Sequence, residues 1–462
     1  AKGEGISPAY LIGSIRSLYP KLEIENSYCY PENPEAGIDL FLEKLVQETE
    51  KEHEDILEQA DETDAMFGEL YSWYLRNPEY RSRVQKLVQS AFAGKPEDII
   101  SQSVAKALYG EVSPYSATRL ERFAACAFAH FLQYGMKLTE RVEYEFKPMD
   151  MGNVMHEALE SFAEEVRKRG MKWTELTEQE RNEIADRCLD NIVADYGNTV
   201  LKSSARNEYM IERTRRILRR TVWALQKQLE QGEFQPEGFE VTFGGGRIDR
   251  VDIMEDQNKV YVKVIDYKTG NTSFDLVYLY HGLQLQLMIY LDGALRVEQK
   301  KYPDKEIIPA GVFYYNIKDP MIQEKIDADV EAVSAGLMKE LKMNGLVQAD
   351  PELVYRMDSS LGSIPVAFNK DGSFRKNSSV ADRTQFAVLG RYVRTKIEKI
   401  RSSILEGDAE VSPYELGKKN ACTYCPYMTV CGFDRRLSGY EFRRLKNFSD
   451  EELWKAFDRE AE

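Results

Sequence analysis

Asp266 and Lys268 stand two residues apart in Val260-Tyr-Val-Lys-Val-Ile-Asp-Tyr-Lys-Thr-Gly270. A carboxylate held on that spacing can bind a divalent cation such as Mg²⁺, and an amine beside it can steer or activate a water. An isolated Asp-x-Lys is also what a surface ion pair at a strand end looks like, so its company matters. Arg247-Ile-Asp-Arg-Val-Asp-Ile253, preceded by Gly244-Gly-Gly246, adds the carboxylates of Asp249 and Asp252. His156 and Glu160 lie one helical turn apart in Gly152-Asn-Val-Met-His-Glu-Ala-Leu-Glu160, as do Gln286 and Tyr290 in Gln284-Leu-Gln-Leu-Met-Ile-Tyr290. A second chemistry is sulfur. Cys422-Thr-Tyr-Cys-Pro-Tyr-Met-Thr-Val-Cys431 places Cys422, Cys425 and Cys431 at i, i+3 and i+9, a spacing that converges on one metal or cluster. Cys126 is the obvious fourth ligand; zinc completed by Cys126 or His130 is the rival filling, and unconnected thiols the bland one. Cys29 and Cys188 have no partner pattern.

Both chemistries need elements to hold them. The β-branched and aromatic run Lys259–Tyr267 reads as a strand stopped by Gly270 and Asn271. Alternation puts Val260, Val262, Val264, Asp266 and Lys268 on one face. Asp249 and Asp252 are three apart, so a strand sends them to opposite faces and only one can face Asp266; alternation alone does not say which. Strands over Phe239–Phe243, Arg247–Met254, Lys259–Tyr267 and Ile307–Ile317, with helices over residues 152–169 and Gly282–Glu298, predict a mixed α/β sheet covered by helices. In Ser113–Gly135 a helix is expected with Thr118 and Glu121 at capping-box spacing, Cys126 inside it and Gly135 as its stop. Along the helical region Thr177–Gly232, Arg213, Arg216 and Arg220 share a face that could track phosphates, or simply pair with neighbouring acids in solvent. After Pro320 come helical stretches and a loop-like polar insert, Asp358–Ser379. A helix over Val380–Leu405 leads back to the cysteines, and Ser449 with Glu452 caps a last one.

With 462 residues the chain has room for two or three domains. Residues 1–110 read as mostly helical, with candidates at Gly37–Glu58, Thr63–Arg76 and Glu79–Phe92 and a helix start at Ser7-Pro8; nothing catalytic appears there, and the abrupt beginning suggests a fragment of a longer protein. No apolar run approaches the ~20 residues of a membrane span, and Ala1-Lys-Gly-Glu-Gly lacks a signal-peptide core. The formal net charge of -15 argues against a wholly basic nucleic-acid coat, not against a locally basic channel. Six cysteines are too few for a disulfide scaffold, which favours a reducing cytoplasm. No G-x₄-G-K-[ST] phosphate loop is present, so the chain alone is expected neither to hydrolyse ATP nor to unwind duplexes.

The order of helix with His156, strand with Asp249, strand with Asp266-Tyr-Lys268 and helix with Gln286 and Tyr290 resembles the RecB-type branch of the PD-(D/E)XK nucleases. Gly246-Arg-Ile-Asp-Arg-Val-Asp252, Gly152-x₃-His156 and the split cysteines extend the likeness to the carboxyl part of the AddB family, B subunits of bacterial ATP-dependent AddAB helicase/nucleases. The nuclease resemblance covers residues 111–462, and residues 1–110 look like the tail of a helicase-like region. It implies a PD-(D/E)XK core with large helical additions. Asp249, Asp266, His156 and the Tyr267 carbonyl would bind Mg²⁺ or Mn²⁺, Lys268 would act on water, and Gln286 and Tyr290 would place the phosphate. Cys126, Cys422, Cys425 and Cys431 would hold a [4Fe–4S] cluster joining the two ends of the domain; Ala127 stands where relatives often have proline. The implied activity is metal-dependent exonucleolytic hydrolysis of DNA single strands in double-strand break repair by homologous recombination, on the strand running 5′ to 3′, with an AddA-type helicase subunit as partner. Two other readings are a stand-alone RecB-like iron–sulfur exonuclease, similar to the CRISPR-associated ones, and a non-catalytic nuclease-fold scaffold for DNA or a partner. Intact Asp249, Asp266 and Lys268 speak against the second.

Overall fold

The computed structural model describes residues 15, 17–21, 34, 37–38, 41–42, 45, 62–91, 99–110, 116–139, 148–195, 204–244, 246–322, 329–436 and 439–461. The chain divides into two compact units, one of residues 1–96 with 434–439 and one of residues 97–433 with 440–462. The helix α3 (Gln102–Tyr109) therefore belongs to the second unit, which starts fourteen residues before the boundary expected at 111. In the first unit, α1 (Glu62–Arg76) and α2 (Pro78–Ala91) match two helices expected there. Phe41, Tyr74 and Val84 form its small core. The expected start at Ser7-Pro8 and most of Gly37–Glu58 lie outside the described residues.

The second unit runs α4 (Ala117–Ala125), α5 (Pro148–Lys168), α6 (Glu178–Asp195), α7 (Ala205–Glu230), β1 (Gln235–Phe243), β2 (Gly246–Asp256), β3 (Lys259–Lys268), α8 (Gln286–Lys301), β4 (Glu306–Asn316), α9 (Val330–Glu340), β5 (Asn344–Gln348), α10 (Pro351–Met357), β6 (Val380–Ala381), α11 (Arg383–Glu406), β7 (Tyr414–Leu416), β8 (Lys419–Asn420), β9 (Arg443–Arg444) and α12 (Asp450–Ala461). Strands β1 to β6 form one sheet in sequence order. β1, β2 and β3 make an antiparallel meander, β3 and β4 are parallel across the α8 crossover, β5 is antiparallel to β4, and β6 is parallel to β5. This is the mixed, helix-covered sheet that the hydrophobic pattern predicts.

The period of two decides what each face packs against. On β3, Val260, Val262 and Val264 enter a core with α4, α8, α11 and α12. Ile265 and Tyr267 point the other way, into a core with α5, α6 and α7. Helix α8 lies close on β1 because residue 293 is glycine: a Cβ there would fall 2.6 Å from the Phe243 ring. Two strands were not expected, β5 and β6, along with the small sheet β8-β7-β9. Each is five residues or fewer, too short for a periodicity to register.

Two local expectations are corrected. Helix α4 is capped by Ser116, whose side chain accepts from Arg119 N, rather than by a Thr118/Glu121 box. Cys126 is not inside a helix: it is extended, with φ -166° and ψ 118°, and interrupts the path between α4 and the turn Ala127–His130. A π-turn, Phe131–Gly135, then ends at the expected stop.

Candidate active site

Asp266 and Lys268 occupy the carboxyl end of β3, beside the crossover into α8. Asp266 is 1% exposed. Lys268 Nζ lies 2.6 Å from Asp266 Oδ2 and donates to Gln286 Oε1 at 2.8 Å. The Gln286 amide in turn donates to the Tyr290 hydroxyl at 2.9 Å, and the Lys268 ammonium sits 5.5 Å from the Tyr314 ring centroid. Two side chains one turn apart on α8 thus fix the amine that follows the buried carboxylate.

The strand pair settles which aspartate belongs here. Asp249 Oδ2 accepts the Tyr267 N–H at 2.7 Å and lies 3.3 Å from His156 Nδ1, brought in by α5. Asp252 faces away. It pairs in register with Lys263, which alternation puts opposite Asp266, and its carboxylate meets Arg250 at 2.5 and 2.9 Å and Lys263 at 2.9 Å. Burial alone would push Asp252 up, but the two adjoining cations hold it below the usual carboxylate range. It is a buried structural ion cluster.

Two acids that the sequence reading missed complete the site. Glu240 of β1 sits 3.8 Å from His156 Nδ1 and 2.6 Å from Arg247 Nε. Its φ of 48° is left-handed, a costly conformation for glutamate that aims the side chain at the histidine. His156, Glu240 and Asp249 offer ligand atoms within 4.8 Å of one another. Glu121, on α4, is the second: its Oε1 accepts the N–H groups of Leu285 and Gln286 at 2.7 and 3.0 Å. It caps α8, whose own cap residue, Leu285, supplies no side-chain bond. A lone glutamate between Phe239 and Val241 was the available signal for Glu240. For Glu121 there was none, since its bond spans 164 residues.

The electrostatics are those of a site built for a cation. Burial, then the charge of Asp249, push Asp266 up to about 7 against the pull of Lys268. Burial works against a charged His156, yet its bonds to Asp249 and Glu240 raise it to about 10. Burial takes Glu121 up to about 7. Crowded carboxylates that resist losing their protons are what a bound cation relieves. The donor set of carboxylate oxygens and one imidazole suits Mg²⁺ or Mn²⁺. The contact from Lys268 to Asp266 Oδ2 is poorly aligned for a hydrogen bond, leaving that buried oxygen available to a ligand.

The cysteines meet elsewhere. Cys126, Cys422, Cys425 and Cys431 line one small cavity, together with Phe128, Tyr427 and Phe433. Burial and the other three sulfurs push Cys422 up to about 12. The two chain segments are also joined directly: Phe128 N–H donates to the Glu410 carbonyl at 3.0 Å and the Tyr427 hydroxyl to that of Leu138 at 3.0 Å. Among the described residues no three of these sulfurs come within 4.8 Å of one another. A single tetrahedral zinc, with Zn–S near 2.3 Å, needs sulfurs about 3.8 Å apart. His130 does not line the cavity; its Nε2 accepts from Arg119 Nε at 3.1 Å, and burial takes it down to about 3.

The arginine face of α7 stands apart from both sites. Arg216 pairs with Asp319 at 2.6 Å, Arg220 lies over the Trp223 ring, and Arg213 is exposed. Among the described contacts none joins the three to Asp249 or Asp266.

Residues 114–432 match the family model described as PD-(D/E)XK nuclease superfamily. The whole chain is 39% identical over 485 aligned residues to a protein of Lachnoclostridium phytofermentans named as the B subunit of an ATP-dependent helicase/deoxyribonuclease, covering 41% of it. Relatives of the same name from Thermoanaerobacter sp. and Alkaliphilus metalliredigens are 33% and 32% identical, over 87% and 100% of this chain and 37% and 42% of theirs. The chain thus spans about two fifths of the length of the curated relatives it matches.

Proposed function

We propose, on the premise that this chain belongs to the PD-(D/E)XK nuclease superfamily, that it hydrolyses DNA phosphodiesters as the nuclease part of a larger helicase/nuclease. The observation that carries this is the convergence of Asp249, Asp266, Lys268 and His156 from three elements, with Gln286 and Tyr290 holding the lysine. A divalent cation, held by Asp249, Asp266, His156 and the Tyr267 carbonyl, would polarise the scissile phosphate and supply a water of lowered pKa. The residues of the chain do the rest. Lys268 orients the attacking water and offsets charge gathering on the phosphoryl oxygens. Gln286 and Tyr290, already bonded to each other, place the backbone phosphate beside the two carboxylates. Glu240 braces His156 and Arg247.

The four thiols would hold a [4Fe–4S] cluster. Their shared cavity, joining segments nearly 300 residues apart, supports this, and a sulfur spacing wider than one zinc ion spans favours a cluster over zinc. Repair of double-strand breaks by recombination, an AddA-type motor as partner, magnesium as the working ion and a reducing cytoplasm follow from the names of the relatives and the free thiols. Among the described residues no helix is long and apolar enough to cross a membrane. The test is cleavage of end-labelled single-stranded and blunt duplex DNA by the chain alone, with Mg²⁺, with and without ATP. Metal-dependent, ATP-independent cutting of single strands is expected. Inert single strands would sink the reading, and ATP-stimulated duplex degradation would mean a motor within the chain.

A further inference from the structure

Although the chain carries a formal net charge of -15, the cleft between α8 and α11 is basic. One part, of about 560 Å³, is lined by Arg296 and Lys300 of α8, Arg394 and Arg401 of α11, and Phe243 at the tip of β1. A second, of about 340 Å³, shares Met288, Asp292, Gly390 and Arg394 with the first and continues past Arg383 and Arg391. Six basic side chains face a single lining acid, Asp292, which holds Arg296 at 2.7 Å and Arg394 at 2.8 Å. Lys300 and Arg391 are exposed and make no ion pair or hydrogen bond among the described residues. The α7 face differs, because Asp186, Asp190, Glu212 and Asp319 engage Arg215, Arg216 and Arg219.

The cleft is continuous with the candidate active site. Gln286, Tyr290, Gly293, Val297 and Lys300 fall at i, i+4, i+7, i+11 and i+14, one stripe of α8. Its first two members bond at the site and its last three line the cleft. From Gln286 to Lys300 the helix rises about 21 Å, enough for a run of phosphates. At the junction the Phe243 and Tyr290 rings meet edge to face, centroids 5.9 Å apart, where an unstacked base could find an aromatic partner.

We propose that this cleft, with Lys300, Arg391 and Arg394 as phosphate contacts, is the path along which single-stranded DNA reaches the Asp249/Asp266 centre. The proposal rests on the nuclease reading and assigns the substrate its course. Charge complementarity selects the occupant: open cations beside a phosphodiester-cleaving centre suit a strand whose every unit carries a negative charge. An acidic protein segment is the alternative occupant.

The test measures binding of a fluorescein-labelled 20-nucleotide oligothymidine by anisotropy in Ca²⁺, across a salt series. The variants are Lys300→Ala/Arg391→Ala, its rescue Lys300→Arg/Arg391→Lys, and Arg213→Ala/Arg216→Ala on α7. Both cleft positions are exposed and unpaired, so the variants should melt like the parent. The alanine pair is expected to weaken binding about tenfold at low salt and to flatten the log K against log salt slope by about 1.4, from ~0.7 per lost phosphate contact. The rescue pair restores both, and the α7 pair moves neither. Parental affinity and slope in the cleft variant, or an equal loss in the α7 variant, overturns the proposal. So does a cleft variant that binds DNA normally but no longer binds a poly-glutamate peptide that the parent captures. Cleavage by the parent is scored separately: a parent that binds but does not cut sinks the nuclease reading, while the ratio of affinities still decides the cleft.

Discussion

Glu121 Oε1 lies 3.0 Å from the backbone nitrogen of Gln286, the residue whose side chain holds Lys268. The segment that ends in Cys126 therefore caps the helix that positions the candidate catalytic lysine, so the thiol cavity and the carboxylate site share one short mechanical link.

Glu121→Ala should strip that cap and leave two N–H groups unpaired, costing about 1–3 kcal/mol. Glu121→Gln keeps an acceptor oxygen and removes the charge. The native pKa of Glu121 is raised to about 7, above the ordinary 4.5. Ionisation thus weakens the native state, and that loss grows as pH rises from about 4.5 to 7. Melting in EDTA should find Glu121→Gln gaining on the parent between pH 4.5 and 8, with Glu121→Ala below both. A glutamine variant as unstable as the alanine one would refute the capping role.

Asp266→Asn should lose more than about a hundredfold in cleavage, since a cation ligand supplies several kcal/mol. Without divalent ions it should melt at or above the parent at pH 8, because burial and Asp249 raise Asp266 to about 7 and make its charge a burden on the fold. The difference should vanish toward pH 4, where the parent carboxyl is protonated in both states. Near-parental cleavage would remove Asp266 from the site.

Asp249 and Asp252 should separate cleanly. Asp252→Ala leaves Arg250 and Lys263 buried without their counter-charge and is expected to cost about 3–5 kcal/mol by chemical denaturation. Asp249→Ala should fold like the parent and lose calorimetric Mn²⁺ binding. The reverse pattern would mean that the faces have been misassigned.

His156 is raised to about 10 by Asp249 and Glu240, so its ion pairs stabilise the fold fully below about 6.5 and fade as pH climbs through 10. A cation needs the neutral ring. Mn²⁺ affinity should therefore increase from pH 6.5 to 9, with proton release visible as a buffer-dependent calorimetric heat. In His156→Ala that proton release should disappear.

Protein made and purified without oxygen should be brown, with broad absorption near 400 nm and about four irons per chain. Cys425→Ser should bleach it and lower its melting temperature, because the sulfurs close a loop of about 300 residues. Colourless protein with one zinc per chain would establish the rival filling.

Local chemistry made much of this molecule legible beforehand. The β-branched run ending in Asp266 and Lys268 could only be a strand, and the order of strands and helices fixed the class of sheet. Alternation showed that Asp249 and Asp252 must part company, but the choice between them is a matter of register, and register is set by the pairing of β2 with β3 and by what each face buries. Cys126 had to be found by its type, and the break in the helix that turns it toward the cavity appears only where the carboxyl-terminal segment packs against it. Glu121 and Glu240 carried no signal of their own, because a glutamate in a helix or strand is unremarkable until folding buries it. Tertiary structure alone decided their roles: the first by closing 164 residues of chain onto a bare helix end, the second by bending a strand to put an acid beside His156.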